Sequence, residues 1–600
     1  MAVAHARKTS NRRRAWWFLG AGVVVLLIAG CVLWIGLRAL AAKAELESAL
    51  SLVTTLKTQI VAQDVTGANA TLAQLKPKVQ AARNLTSDPL WRVGEIVPFL
   101  GPNLSAVRTL ATSTDDVVES GIQPLVGILS TVSPSSFKPV NGAINLSPIV
   151  SATPKVDQAA ATFDRATRAV RAIDTTKTIG AVASATQKMS AMLTKVNGEI
   201  GQVKDAVHVL PKAMGSDGPR NYLVIFENSG ELLANGGTTG SMALLQIDHG
   251  KVSLVKQSSA SISQFPNFSD YVVPIPEDVK KLYPYGLGRQ VQDLTITPRF
   301  SLTYDVAKTM WKTAKGDNID GVIAMDTVTL GNLLKATGPI DVLPGLRLTP
   351  ENAVRMLLID IYTLYPDPVT VDHINQSISV GAFSRILGGG TDPKKLLTTL
   401  LTAGQQGRVK IWTGDKAEQD LIKLTPFYGE PPVSTKTVDA LGVYFMDQTP
   451  SKMDYFLKVN VGVTQAVCSD KHRYVFARIA LHSTAPANAA KVLPWYVMGN
   501  GVLVAQGNVQ IGTSVYAPHG YKVLGTAIDA RPSAAPMIGT DGEYTVAQGV
   551  QQMAPGQTQT LDVLFDAGET PVKKLKATVT ATVNPIVTSY GTLQCSAIGK

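Results

Sequence analysis

The residues best placed to do chemistry lie between Tyr222 and Val255, in YLVIFENSGELLANGGTTGSMALLQIDHGKVSLV. An apolar run, Tyr222–Phe226, leads into Glu227-Asn228-Ser229-Gly230-Glu231 and then Asn235-Gly236-Gly237-Thr238-Thr239-Gly240-Ser241. Glu227 and Glu231 offer carboxylates, and Asn228 and Asn235 offer directional hydrogen bonds. Gly236 and Gly237 would let a sugar or an anion approach bare backbone. The same composition also suits a glycine-rich hairpin with capping side chains, so it locates a site without naming a reaction. Arg299 with Asp305, and Asp293 nearby, could form a phosphate or metal site, although a solvated ion pair is the simpler reading. Asp320 and Asp326 flank one strand and are expected to cap its ends. Asp372-His373 and Asp470-Lys471-His472 hold histidines with no nucleophile at a recognisable spacing. A Gly-x-Ser-x-Gly element, a Ser-x-x-Lys motif accompanied by its companion motifs, zinc-type cysteine pairs and phosphate-binding loops are missing from the sequence, so no cofactor is expected.

The elements that must position these residues follow from periodicity. Met242–Ile247 and Lys251–Val255 read as strands around a tight turn at Asp248-His249-Gly250. Ile319–Asp326 alternates as a strand, Thr327–Ala336 reads as a helix, and Gly338–Val342 as a turn and strand. Thr349-Pro350-Glu351-Asn352 opens a helix running to about Leu364. Together these predict an α/β layered domain over 213–450. Tyr455–Val463, Tyr474–His482, Gly501–Ile511, Thr560–Phe565 and Leu575–Val583 are short alternating strands, predicting a β-sandwich over 451–600. Upstream, Leu46, Leu50, Val53, Leu56 and Ile60 share a helix face within Ala39–Arg83. Leu193, Val196, Ile200, Val203, Val207 and Leu210 do the same within Lys155–Leu210. With a helix over Leu104–Val132 and a loop over Pro134–Pro154, residues 38–212 read as a helical stalk or bundle. The expected fold class is α+β and multidomain.

Residues 1–14 form a basic tail carrying Arg7, Lys8, Arg12, Arg13 and Arg14, and Ala15–Leu37 is uncharged and apolar, opened by Trp16-Trp17 and closed by Arg38. A helix of this length covers about 30 Å of hydrocarbon. Basic residues stay on the cytoplasmic side, so the expected topology is one transmembrane helix, N-terminus inside, with residues 38–600 extracytoplasmic. The run exceeds a signal peptide's apolar region. Ile28-Ala29-Gly30-Cys31 resembles a lipoprotein cleavage box, but Val32–Leu37 continues apolar beyond the cysteine. The tail holds five of the net +11 charges; the mild excess that remains suits anionic envelope polymers and is far from a nucleic-acid stripe. Outside the membrane, Cys468 and Cys595 form an even pair that suggests a disulfide, with two buried thiols as the alternative.

ENSGELLANGGTTGS, NIDGVIAMDTVTLGNLLKATGPIDV and LTPENAVRMLL resemble the domain of unknown function 4012 family, which implies a membrane-anchored, actinobacterial-type envelope protein. The likeness runs from about Arg220 through Ser451–Leu457 and Leu493–Val497. The element order is also similar to the LytR–CpsA–Psr enzymes, which transfer lipid-linked glycopolymers using acidic metal ligands and arginines. That likeness puts the family's first acidic position at Gly240 and its Pro-Arg-Asp element at Ser258-Ser259-Ala260. Its later arginines fall near Ile361-Tyr362 and Asp372–Asn375. With those groups replaced, the expectation is a non-catalytic, accessory protein that binds or presents glycopolymer or an assembly partner. The alternatives are a divergent phosphotransferase using Glu227, Glu231, Arg299 and Asp305 with a divalent metal, or a structural spacer or adhesion module.

Overall fold

The computed structural model describes residues 10–388, 391–533 and 536–598. Arg7 and Lys8 of the tail lie outside them. The chain divides into a helical unit, residues 1–136 with 147–209, and a mixed unit, residues 137–146 with 210–600.

The helical unit is built from α1 (Ser10–Val61), α2 (Val65–Leu85), α3 (Pro89–Gly94), α4 (Gly101–Asp116), α5 (Gln123–Leu129), α6 (Ser147–Arg171) and α7 (Gly180–Ala213). The apolar run occupies the first half of α1, the one helix among the described residues long and apolar enough to cross a membrane. Its second half packs on α2 through Ala49, Leu56, Leu72, Leu75 and Val79. The continuous helix expected over Ala39–Arg83 breaks after Val61, where Asp64 caps α2 by accepting from the Gly67 N–H. Leu50 is exposed, and Ala49 takes its place on the packed face. The helix expected over Lys155–Leu210 is two, because α6 ends at Arg171; it also starts at Ser147, inside the expected loop. Of its predicted stripe, Leu193, Val196 and Ile200 pack against Phe163 and Val170, while Val203 and Leu210 are exposed.

The mixed unit opens with β1 (Arg220–Leu233), β2 (Gly236–Asp248) and β3 (Lys251–Ser259). β4 (Gly321–Asp326), the small ribbon of β5 (Ile340–Leu343) and β6 (Leu346–Leu348), and β7 (Val409–Thr413) follow. The main sheet runs β3-β2-β1-β4-β7, with β1 and β4 parallel and the other neighbours antiparallel. His249 and Gly250 both take positive φ in the β2–β3 turn, the conformation that the sequence signature requires. Of the two readings of the Glu227–Ser241 segment, the structure takes the glycine-rich hairpin. β1 continues through Glu227–Leu233, a two-residue turn at Ala234-Asn235 follows, and Gly236–Ser241 belongs to β2. Three residues of β1, Ser229-Gly230-Glu231, bulge out of register between Asn228 and Leu232. Thr327–Thr337 forms the expected helix after β4, and a compound helix with a π-turn spans 353–364.

Two further sheets enclose one apolar core. One comprises β8 (Val438–Asp447), β11 (Val509–Ala517), β14 (Met537–Asp541), β15 (Tyr544–Met553) and β17 (Lys574–Val579). The other comprises β9 (Leu457–Val467), β10 (Arg473–Ser483), β12 (Lys522–Ile528), β13 (Arg531–Pro532), β16 (Thr558–Asp566) and β18 (Val587–Thr592). Phe445, Val461, Val475, Val515 and Phe565 meet between them. The sandwich thus begins with β8, upstream of the expected boundary at Ser451, and Gly501–Val504 is not a strand. Cys468, just after β9, is joined to Cys595, just after β18, with their Cα atoms 5.7 Å apart.

Candidate functional site

A cavity of about 250 Å³ opens where β1 and β4 end their parallel pairing, at the Glu227–Asp326 register. Ligands commonly bind beyond the carboxyl ends of parallel strands. Its walls include Glu227, Asn228 and Glu231 of β1 and Thr238–Ser241 of β2. Gln292, Asp326, Tyr362, Asp372, Lys452 and Tyr496 complete the part of the lining that matters below.

Three of these residues carry buried polar atoms with no hydrogen-bond partner among the described residues: both carboxyl oxygens of Glu227, the Thr239 hydroxyl and Oε1 of Gln292. Glu227 and Thr239 face one another across β1 and β2. Buried polar groups are nearly always satisfied, and leaving one unmet costs about 1–3 kcal/mol. All three residues line the same cavity. Burial pushes the Glu227 carboxyl up to about 8, Asp326 adds to the shift, and Lys410 opposes it. Lys410 is itself lowered by burial, and its ammonium donates to the carbonyls of Asn235 and Gly407, each at 2.6 Å.

The charged groups nearby are already engaged. Asp326 accepts from the Thr329 N–H at 2.7 Å, which caps the helix after β4, and from Arg408 Nη1 at 2.5 Å. The bulge in β1 turns Glu231 toward Lys452, and the two form an ion pair. Lys452 lies 4.9 Å from the Tyr362 ring centroid and 5.0 Å from that of Tyr496; the two rings stack 5.2 Å apart, 5° from parallel. Burial alone would lower the Lys452 ammonium, but Glu231 and the Tyr362 hydroxyl hold it above its ordinary range. Beside this pair, burial and Glu231 push Asp454 up to about 7 against the pull of the Leu232 N–H, and burial and Asp454 raise Asp447 well above the carboxylate range.

Of the residues singled out in the sequence, Glu227, Asn228 and Glu231 line the cavity. Asn235, Gly236 and Gly237 do not. Asn235 is buried, its N–H donating to Thr295 O at 2.9 Å and its Nδ2 to Gly429 O at 3.3 Å. A Cβ on Gly236 would meet Glu227 Oε2 at 2.0 Å, so this glycine leaves the volume that the carboxyl fills. A Cβ on Gly237 would meet Asn228 O at 2.1 Å, and Gly237 O already accepts from Thr295 Oγ1 at 2.8 Å. These glycines serve packing between strands, not approach of a ligand. Arg299 and Asp305 are not brought together with the cavity. Arg299 pairs with Asp541 of the sandwich, and Asp305 lines a separate groove with Tyr304, Thr413 and Lys416. Asp326 caps the helix that follows β4, not the strand itself, and Asp320, just before β4, accepts from the Asn221 N–H of β1 at 2.7 Å.

Sequence reasoning missed Lys410, Arg408, Gln292 and Lys452. Lys410 sits in a strand whose only oddity is a lysine between Val409 and Ile411. Lys452 falls within Ser451–Leu457, a stretch of the family resemblance, and that was the available signal. Of the positions where the transferase likeness would put its groups, Gly240, Ser259, Ala260, Tyr362, Asp372 and Asn375 line the cavity, whereas Ser258 and Ile361 do not. No group of three or more His, Cys, Asp or Glu side chains able to hold a metal occurs among the described residues. Of the acids lining the cavity, Asp326 is paired with Arg408 and Glu231 with Lys452, while both oxygens of Glu227 have no hydrogen-bond partner among the described residues.

No curated protein matches this sequence. Among solved structures, a candidate nutrient-binding protein from Legionella pneumophila subsp. pneumophila str. Philadelphia 1 is 6% identical, with 22% of this chain covering 44% of that one and a TM-score of 0.14. The chain thus spans less than half the length of that protein. The Lin1025 protein from Listeria innocua is 12% identical, with 35% of this chain covering 79% of that one and a TM-score of 0.18. Both scores are too low for either likeness to bear on fold or function. The family comparison matches β1 to the first tyrosine of the stacked pair and stops short of the β-rich phrases at Ser451 and Leu493. Over residues 217–362, which supply most of the cavity lining, the chain carries a domain of the family described as protein of unknown function (DUF4012).

Proposed function

We propose that this is a single-pass cell-envelope protein, N-terminus inside and residues 38–600 extracytoplasmic, whose cavity binds a cell-wall glycopolymer or its lipid-linked precursor in an accessory, non-catalytic role. The observation that carries this reading is the convergence of unpartnered polar atoms from Glu227, Thr239 and Gln292 on one cavity beside the Tyr362–Tyr496 pair. Sugars present hydroxyl groups at their edges and apolar C–H faces, and a site pairing hydrogen-bonding groups with flat aromatic surface matches both. A binding role is favoured over turnover because Lys452, the one Lys or Arg among the described lining residues, is neutralised by Glu231. A pyrophosphate would then lack the preorganised cations that its transfer requires.

Thr239→Val tests the reading. Replacing an unpartnered buried hydroxyl by a methyl leaves stability unchanged or raised. It should weaken binding of a polyprenyl-pyrophosphate glycan about tenfold, measured by calorimetry on the full chain in detergent. Unchanged affinity would remove the cavity from the site. A second reading is motivated by Glu227, whose carboxyl is held near neutrality and could act as a general acid. Glycan release that disappears in Glu227→Gln would replace the binding role by this one.

A further inference from the structure

Exposed apolar residues are ordinary when scattered but not when five fall within ten positions. Leu90, Val93, Ile96, Val97 and Phe99 are all exposed on α3 and the turn after it, Ile96 at 82% and Phe99 at 92%. Phe99 holds φ +64°, an uncommon conformation for a bulky residue, with its ring in the open. The segment is nonetheless anchored. Trp91 is fully buried, its indole N–H donating to Leu104 O at 3.1 Å, and it packs with Ile35 and Leu104. Gly94 lies so close that a Cβ there would meet Ile35 Cδ1 at 3.0 Å and Leu104 Cδ1 at 2.6 Å. Arg38 donates to the carbonyls of Asn84 and Leu85 and pairs with Asp88, just ahead of α3. These contacts fix α3 against the last turn of the apolar run in α1. Leu33, Trp34, Leu37 and Leu40, in the same stretch of α1 as Ile35, are exposed as well.

We infer that Leu90–Phe99 is a second membrane contact, seated in the lipid leaflet at the C-terminal end of the α1 span, and this rests on the reading of α1 as membrane-spanning. The occupant is lipid because the patch is fixed against the last turn of the apolar run, at the depth where about twenty helical residues reach the edge of the hydrocarbon. Elements lying in the interface bury their apolar face about 5–10 Å into it. Arg92, exposed among the apolar residues, suits the headgroup phosphates. The chain would then be held at two points, which orients α1 and α2 relative to the bilayer instead of leaving the ectodomain to swivel on one helix.

The test uses the full chain carrying Cys31→Ala, with a single cysteine placed at Leu27, Thr54, Ile96 or Phe99 and labelled with an environment-sensitive fluorophore. The protein is reconstituted in phosphatidylcholine–phosphatidylglycerol vesicles containing doxyl-labelled lipid. Labels at Leu27, Ile96 and Phe99 should be quenched at least twofold, and that at Thr54, exposed further along α1, should not. Quenching at Leu27 with Ile96 and Phe99 behaving like Thr54 would overturn the second contact and leave the span intact. Absence of quenching at Leu27 as well would remove both. Using two separate patch positions guards against a local disturbance at either one.

Discussion

Glu227 shows how one residue's chemistry depends on what surrounds it. Its carboxyl is raised to about 8, first by burial and then by Asp326, against an ordinary value near 4.5. Between those values the folded chain binds a proton that the unfolded chain releases, so stability falls as pH rises through this window and levels off above it. The slope for one such proton is at most about 1.4 kcal/mol per pH unit. Asp454, raised to about 7, acts in the same direction. Thermal unfolding of wild type should therefore show a melting temperature that declines from pH 5 to pH 8. Glu227→Gln should make that decline shallower without abolishing it, since Asp454 remains. Identical slopes in the two proteins would mean that Glu227 is ionised in the folded state.

At the scale of the element, the β1–β2 hairpin and its bulge place the side chains that line the cavity. Strand pairing holds Glu227 opposite Thr239, the bulge sends Glu231 to Lys452, and Gly236 and Gly237 permit the close approach of the two strands. Gly237→Val would drive a side chain into the Asn228 backbone, and overpacking of this kind costs about 1–3 kcal/mol. The melting temperature should fall by several degrees and glycan binding should weaken with it, whereas Thr239→Val leaves stability intact. A Gly237→Val protein with wild-type unfolding would show that the hairpin is looser than its pairing indicates. In the sandwich, the Cys468–Cys595 bridge ties down β18, an exposed edge strand paired in parallel with β9.

For the whole molecule the main commitment is topology. The basic tail and the apolar half of α1 place everything after Arg38 on the far side of the membrane under the proposed reading. Ser451 is a poor reporter of this because it is 1% exposed, while Ala487 lies at the surface of the sandwich. On intact cells a membrane-impermeant maleimide should label a cysteine at position 487 and miss one at position 10. Labelling at 10 alone would reverse the compartment and remove the glycopolymer reading with it.

Local signals in the sequence were enough for the elements that depend on neighbouring residues. The apolar span, the β2–β3 turn at His249-Gly250, the helix after Asp326 and most sandwich strands were legible because caps, turn geometry and alternation act within a few positions. Family phrases also pointed to the region that forms the cavity. What the sequence could not convey was which side chains meet. Alternation marks a buried strand face but not its partner, so Arg299 appeared next to Asp305 when it pairs with Asp541, 242 positions away. Glycines read as openings proved to be contact points, because a missing Cβ serves an incoming ligand and a crossing strand equally well. The unmet oxygens of Glu227, Thr239 and Gln292, and the lysine resting on two tyrosines, exist only once β1, β2, the helix ending near Leu364 and the loop at Lys452 are brought together. Tertiary packing decided the site because burial and the absence of a partner are properties of the whole fold and not of any one segment.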